Sequence, residues 1–288
     1  MGLHELVSRI GENSALDTVT GPVSRVAKKL VPAGPVKDVL SGTPFGHPLH
    51  PPLTDVPIGC FTAATALDLL GGSRFESAVD TLLALGIGAT VPTASAGLSD
   101  WSDTYGPEMR VGLVHAGANV AALGLIASSL AARRAGNRGL GRLLGLVGFT
   151  ALTAGGYLGG HLSYSRGVGV NNAFYQHEPE DWTAVMDVGD LPEGSPVKAQ
   201  DGDATVLLYR SAGRIYAIGS RCSHAGGPLE EGKIDEANMC VTCPWHGSVF
   251  QLEDGSVVHG PASVPQTAYD VRKQDGRIEV RRRPATTS

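Results

Sequence analysis

The sequence predicts a chain of two fold classes, an all-α bundle of four transmembrane helices followed by an all-β antiparallel sandwich. Three observations carry this. Four apolar stretches nearly free of charge follow one another between residues 53 and 161. Beyond residue 182 they give way to short alternating stretches separated by glycine turns. A length of 288 residues leaves room for two domains.

The composition supports the division. Gly 39 and 6% aromatic residues suit a membrane part rich in small residues joined to a β-rich part. A net charge of −5 shows no strong basic balance, so no nucleic-acid partner is expected. The first 40 residues lack the apolar core of a signal peptide. Of the four cysteines, Cys60 lies in an apolar run and Cys240 in an expected strand, so neither indicates a disulfide framework.

Taken in order, residues 1–46 form a polar and amphipathic segment. Leu3–Ile10 and Val23–Val31 have the spacing of short helices, interrupted by Pro22, Pro32 and Pro35. Arg25, Lys28 and Lys29 suit either anionic lipid or a solvated face. The membrane domain is expected over 47–161, with spans near 53–70, 78–98, 111–132 and 140–161. Each approaches the ~20 residues that cross a hydrocarbon core of about 30 Å. Small residues such as Gly86, Gly88, Gly117, Gly155 and Gly156 would let these helices approach closely. A polar connector follows over 162–181 and is expected to act as a flexible tether.

Residues 182–283 read as short strands. Thr205–Arg210 and Arg214–Ile218 flank the turn Ser211-Ala212-Gly213. Tyr269–Lys273 and Arg277–Arg282 flank Asp275-Gly276 in the same way. Strand character is also expected at Met239–Thr242, Val249–Leu252 and Val257-Val258, an arrangement that suits a sandwich. His177 and His259 are read as surface residues.

Two short stretches of this β part carry the chemistry. Cys222-Ser223-His224 and Cys243-Pro244-Trp245-His246 each offer one thiolate and one imidazole, with 18 residues between His224 and Cys243. Two Cys and two His suit a structural zinc site. They also suit a two-iron cluster with thiolates on one iron and imidazoles on the other. Zinc fingers usually group like ligands together. Here each loop mixes the two types, so that two loops can close on a flat two-iron rhomb from both sides.

The stretches C-S-H-A-G-G-P-L and C-P-W-H-G-S-V-F resemble the cluster-binding loops of the Rieske family. The resemblance implies a [2Fe-2S] cluster with Cys222 and Cys243 on one iron and His224 and His246 on the other, reducible iron. High-potential respiratory members carry a disulfide between the loops; Gly227 and Trp245 occupy those positions here. They also place a Tyr hydroxyl on a cluster sulfur; Phe250 stands there, while Ser248 is kept. One hydrogen bond fewer implies a lower potential, as in ferredoxins. Gly260-Pro261-Ala262 resembles the loop that shields the cluster.

The membrane part, opened by G-H-P-L-H-P at residues 46–51, resembles an uncharacterised bacterial family of four-span membrane domains over about residues 40–165. Members occur fused to electron-carrying modules, which implies a redox role. Four spans would bring His47, His50, His115 and His161 toward the face from which the β domain emerges. They are candidate ligands of haem b or a second metal, or contacts for a quinone. Helix-end and helix-packing histidines remain the alternative.

The expected function is a membrane-anchored Rieske protein that carries single electrons between a donor and an acceptor, either a redox partner protein or a quinone. The alternatives are a redox sensor or scaffold, and the electron-supplying component of an oxygenase or quinone oxidoreductase. A complete Rieske oxygenase needs a further mononuclear iron on a separate large soluble domain; none is read in this sequence, which disfavours that alternative. The location is a multi-pass position in the cell membrane, in contact with lipid. Lys and Arg near the span ends would place the β domain outside. The missing disulfide favours the cytoplasmic side.

Overall fold

A computed structural model describes residues 2–176, 178–201 and 204–284. His177 lies outside the described residues. The helices are α1 (Leu3–Glu12), α2 (Asp17–Leu30), α3 (Pro35–Ser41), α4 (His50–Leu70), α5 (Glu76–Ser102), α6 (Gly106–Arg134) and α7 (Arg138–Arg166). The strands are β1 (Thr183–Asp187), β2 (Val197–Asp201), β3 (Ala204–Ser211), β4 (Arg214–Gly219), β5 (Lys233–Asp235), β6 (Cys240–Thr242), β7 (Val249–Gln251), β8 (Val257–His259), β9 (Tyr269–Gln274) and β10 (Arg277–Arg282). The chain forms two compact units. One comprises the segment up to Pro32 together with Leu49–Val168; the other comprises Ala33–Pro48 and the chain from Gly169 onward.

In the helical unit, α4 packs on α5 and α6 on α7. Four stretches, His50–Leu70, Gly72–Ser102, Gly106–Arg134 and Arg138–Arg166, are long and apolar enough to cross a membrane. All exceed the apolar windows in the sequence. Hydropathy marks only the part suited to hydrocarbon, whereas backbone hydrogen bonding carries a helix on through polar ends. At 1.5 Å per residue, the 29 residues of α7 span about 43 Å. The stop comes at Gly167, which adopts φ 70° in the left-handed region.

Glycines set the helix contacts. A Cβ at Gly86 would lie 2.4 Å from the Phe61 ring, and one at Gly148 would lie 2.9 Å from Ile126. Phe61, Ala64, Val79, Leu83, Ile126 and Leu130 form the buried core. Pro57 lacks the N–H that Leu53 would otherwise receive inside α4. The Thr93 hydroxyl of α5 donates to the Leu53 carbonyl at 3.0 Å instead, a repair available because two helices are in contact. Pro22 does not interrupt α2, contrary to the sequence expectation. The burial of Thr20, Ser24 and Ala27 along one face opposes the loss of one backbone bond.

Arg133 is 1% exposed and forks onto Asp68, its Nη1 donating to Oδ1 at 3.0 Å. A Cβ at Gly141 would meet Arg133 Cγ at 2.5 Å, so the glycine makes room for the stem. The two partners come from α6 and α4, 65 positions apart.

In the β unit the strands form three antiparallel sheets ordered β1-β10-β9, β2-β3-β4 and β5-β6-β7-β8. Strand β3 is buried on both faces. Val206 and Leu208 enter a core with Ile278 and Val280. Leu207 and Tyr209 enter a second core with Cys222, Cys243 and Phe250. The expected hairpins form on two-residue turns: Ala212 and Gly213 have φ 50° and 76°, Asp275 and Gly276 φ 50° and 80°. Both φ values positive is the geometry whose twist matches flanking strands. Strands β1, β2 and β5 had no clear sequence signal; β1 pairs with β10 across a register shift at Ala184/Met186.

Candidate metal centre

The two Cys/His stretches fold as the same turn. The Cys222 N–H donates to the Gly227 carbonyl at 2.9 Å, and the Gly226 N–H returns to the Cys222 carbonyl at 2.8 Å. The Cys243 N–H likewise donates to Ser248 at 2.8 Å, and the Gly247 N–H to Cys243 at 3.1 Å. Gly226 and Gly247, each four residues after its cysteine, have φ 79° and 78°. Only a residue without a Cβ adopts this conformation readily.

The turns bring the four candidate ligands together. Cys222 is 1% exposed and Cys243 3%. Their sulfurs share a hydrogen bond; the Trp245 and His246 amides also point at Cys243, and the His224 and Ala225 amides at Cys222. The bond from Cys222 chiefly holds the Cys243 thiol below the ordinary thiol range, and the same bond, with burial, pushes Cys222 up. Backbone N–H groups aimed at sulfur stabilise thiolate, the form that binds metal. The His224 and His246 rings lie edge to face with centroids 4.9 Å apart and are half-buried. A buried thiol pair beside an imidazole pair fits a centre with unlike ends.

A cradle surrounds this set. A Cβ at Gly227 would meet Cys243 Sγ at 2.8 Å and the Trp245 ring at 3.1 Å. Trp245 is 54% exposed and stands edge-on to His246. Phe250 and Ser248 are fully buried. Ser248 Oγ accepts the Ala262 N–H at 3.0 Å, which leaves its own proton to donate elsewhere. Ser223 Oγ donates to the Val264 carbonyl at 2.6 Å. The 260–264 loop is thus bonded to both ligand turns.

Residues without a sequence signal complete the support. Asn172 donates from its backbone to Ser223 at 2.9 Å and from its side chain to the His224 carbonyl at 2.8 Å. Gln176 reaches Thr205 at 2.8 Å. The expected flexible tether is therefore bonded to the first ligand turn along this stretch.

The membrane histidines separate. His50 Nδ1 lies 2.9 Å from the Thr93 carbonyl, with its ring on Gly97. His115 Nδ1 lies 2.8 Å from the Gly155 carbonyl, with its ring on Gly159 and the Asn119 amide 3.2 Å from Nε2. His161 instead pairs with the His4 ring at 5.5 Å and with Arg166. His47 belongs to the other unit, its Nδ1 2.8 Å from the adjacent Pro48 carbonyl. Among the described residues, no three or more of His, Cys, Asp and Glu converge on a single metal-ion position.

Comparison with known proteins gives two family matches. The Rieske [2Fe-2S] domain matches residues 181–271, and a predicted membrane protein family (DUF2231) matches residues 46–172. The 3-phenylpropionate/cinnamic acid dioxygenase ferredoxin subunit of Escherichia coli (strain K12) is 35% identical over 91 residues, 32% of this chain and 84% of that protein. The same subunit of Shigella flexneri matches equally. Among solved structures, the ferredoxin of carbazole 1,9a-dioxygenase from Nocardioides aromaticivorans IC177 has 27% identity and a TM-score of 0.34, covering 35% of this chain and 98% of that chain.

Proposed function

This chain belongs to the Rieske [2Fe-2S] family, and from that premise we propose that it is a membrane-anchored carrier of single electrons. The observation that carries the proposal is the pair of matched turns, which set Cys222 against Cys243 and His224 against His246. Cys222 and Cys243 would hold one iron as thiolates, and His224 and His246 the other as imidazoles. When bound, the cluster supplies one-electron redox chemistry. The chain's own residues set its terms. Amides of residues 224, 225, 245 and 246 point at the sulfurs and favour their thiolate forms, buried Phe250 excludes water, and Ser248 offers a hydroxyl proton. The half-buried imidazoles face the side where electrons enter and leave.

The acceptor is a redox partner protein or a quinone. Supply to an oxygenase is favoured by one observation: the similar E. coli protein is a dioxygenase ferredoxin subunit. The four apolar helices would anchor the carrier in lipid. With glycine and tryptophan where an inter-loop disulfide would stand, the cytoplasmic side suits the β unit.

For the helical unit, the candidate haem b pair is His50 and His115. A carbonyl on each Nδ1 fixes the ring and directs Nε2 to ligation, at His115 in place of the Asn119 amide now 3.2 Å from it. His161 and His47 are the weaker candidates. A Soret band lost in His115→Ala would support this pair; its absence from the wild-type protein would leave both as helix-packing groups.

Reductive titration of the detergent-purified chain tests the carrier. Uptake of one electron per chain with bleaching of the visible band is expected, and Cys222→Ser should take up none. No uptake by the wild-type chain would overturn the proposal.

A further inference from the structure

We infer that residues 33–48, which precede the membrane helices in sequence, form a clasp that holds the 260–264 loop over the cluster, with Asp38 as its positioning residue. This segment belongs to the β unit although more than 130 positions separate it from that unit's first strand. The Rieske match begins only at residue 181, so the segment is an addition to that domain.

The contact is built from directed bonds. Asp38 Oδ1 accepts the Gly260 N–H at 2.8 Å, and its Oδ2 lies 3.0 Å from His259 Nδ1. The Thr43 hydroxyl donates to the Ala262 carbonyl at 2.8 Å. Consecutive polar groups of the loop are thus taken up by one short segment. The fit leaves no space: a Cβ at Gly260 would lie 2.4 Å from Thr43 Oγ1 and 3.2 Å from Asp38 Oδ1. Lys37 and Ser41, on the same helix α3, are buried at 7% and 4% exposure. The Asp38 side chain is 13% exposed and so keeps its bonds largely out of competition with water.

The consequence runs inward through the loop. Ala262 is clasped by Thr43 on its carbonyl and donates its N–H to Ser248 Oγ beside Cys243. Val264 accepts from Ser223, next to Cys222. A loop fixed at Gly260 and Ala262 keeps the Ser248 hydroxyl aimed and the ligand sulfurs covered. Release of the clasp would admit water to the thiolates and hasten loss of iron.

The inference rests on the reading of these turns as the cluster site. Amide hydrogen exchange on the full detergent-solubilised chain reads the clasp whether or not the cluster carries electrons, so its failure is distinct from failure of the carrier. In the wild-type chain, peptides covering 35–46 should exchange as slowly as those covering 258–264. Asp38→Ala should speed exchange over 258–264 at least fivefold and speed loss of the visible iron–sulfur absorbance in air. Asp38→Asn keeps an oxygen for the Gly260 N–H and should stay below fivefold on both. If Asp38→Ala does not accumulate, Thr43→Val carries the same expectations. Exchange of 35–46 at open-chain rates overturns the clasp. So does a less than fivefold change over 258–264 in the variant, unaltered cluster loss, or an Asn variant as fast as the Ala variant.

Discussion

Asn172 places its side-chain amide 2.8 Å from the carbonyl oxygen of His224, inside the turn that presents that imidazole. The link joins the chain leaving the membrane helices to the first ligand turn. Asn172→Ala removes the amide's bonds to the Val170 and His224 carbonyls, of which the partly buried one to His224 is worth about 1 kcal/mol. Cluster loss in air is expected to quicken about fivefold, with the reduced electron-resonance signal broadened as the His224 ring becomes less uniform. Visible absorbance against time measures the first and low-temperature spectroscopy the second. An unchanged decay would mean that the turn holds itself.

Phe250 is fully buried in the core that contains both ligand cysteines. Phe250→Tyr offers a hydroxyl to the cluster sulfurs, which stabilises the reduced, more negative state. A differential gain of about 1 kcal/mol corresponds to roughly 40 mV upward for a one-electron couple. Ser248→Ala removes an existing hydroxyl and should lower the potential by a similar amount. Potentiometric titration followed by electron resonance reads both. Shifts of opposite sign to these would show that neither side chain addresses a sulfur.

Arg133 and Asp68 join α6 to α4 in a site where the arginine has no solvent contact. Asp68→Asn leaves that guanidinium without its counter-charge, at a cost of about 3–5 kcal/mol. The helical unit should lose thermal stability in detergent, as followed by circular dichroism. A paired replacement, Asp68→Leu with Arg133→Met, should recover most of the loss, since the pair rather than either charge satisfies the site. Failure of the double variant to recover would place the importance of Arg133 outside this pair.

Asp270 accepts from Arg281 and Arg283, and the Arg281 bond chiefly holds its carboxyl below the usual range. A depressed folded-state value means that the stabilisation is present above the unfolded value of about 3.9 and disappears as pH falls through the folded one. Asp270→Asn should therefore lower the melting temperature at pH 7, with the gap to wild type narrowing below pH 4. A gap that is constant with pH would assign the effect to shape rather than charge.

The centre was legible in sequence because its ligands sit in two short stretches whose residue types are rare together. Hairpins at Ala212-Gly213 and Asp275-Gly276 were legible because positive φ restricts the residues that fit. The spans appeared as apolar runs, yet their helices extend further, since the ends of α6 and α7 are polar without being helix-breaking. Long-range partners had no local signature. Asp38 lies 222 positions from Gly260, Asn172 lies 52 from His224, and Thr93 lies 40 from the Leu53 carbonyl that Pro57 leaves open. Each is an ordinary polar residue until the fold gives it a partner. The helical-unit histidines had a sequence signal but their partners did not: His50 Nδ1 meets the Thr93 carbonyl, His115 Nδ1 the Gly155 carbonyl, and His161 the His4 ring.

Electron resonance of the dithionite-reduced, detergent-purified full chain, with iron and zinc counted on the same sample, tests the central claim most directly. Two irons per chain are expected from the cluster, with a third only if haem is bound, together with a Rieske signal that His246→Ala abolishes. One zinc per chain with no signal, or a signal that survives His246→Ala, would contradict the assignment of these turns to an electron-carrying cluster.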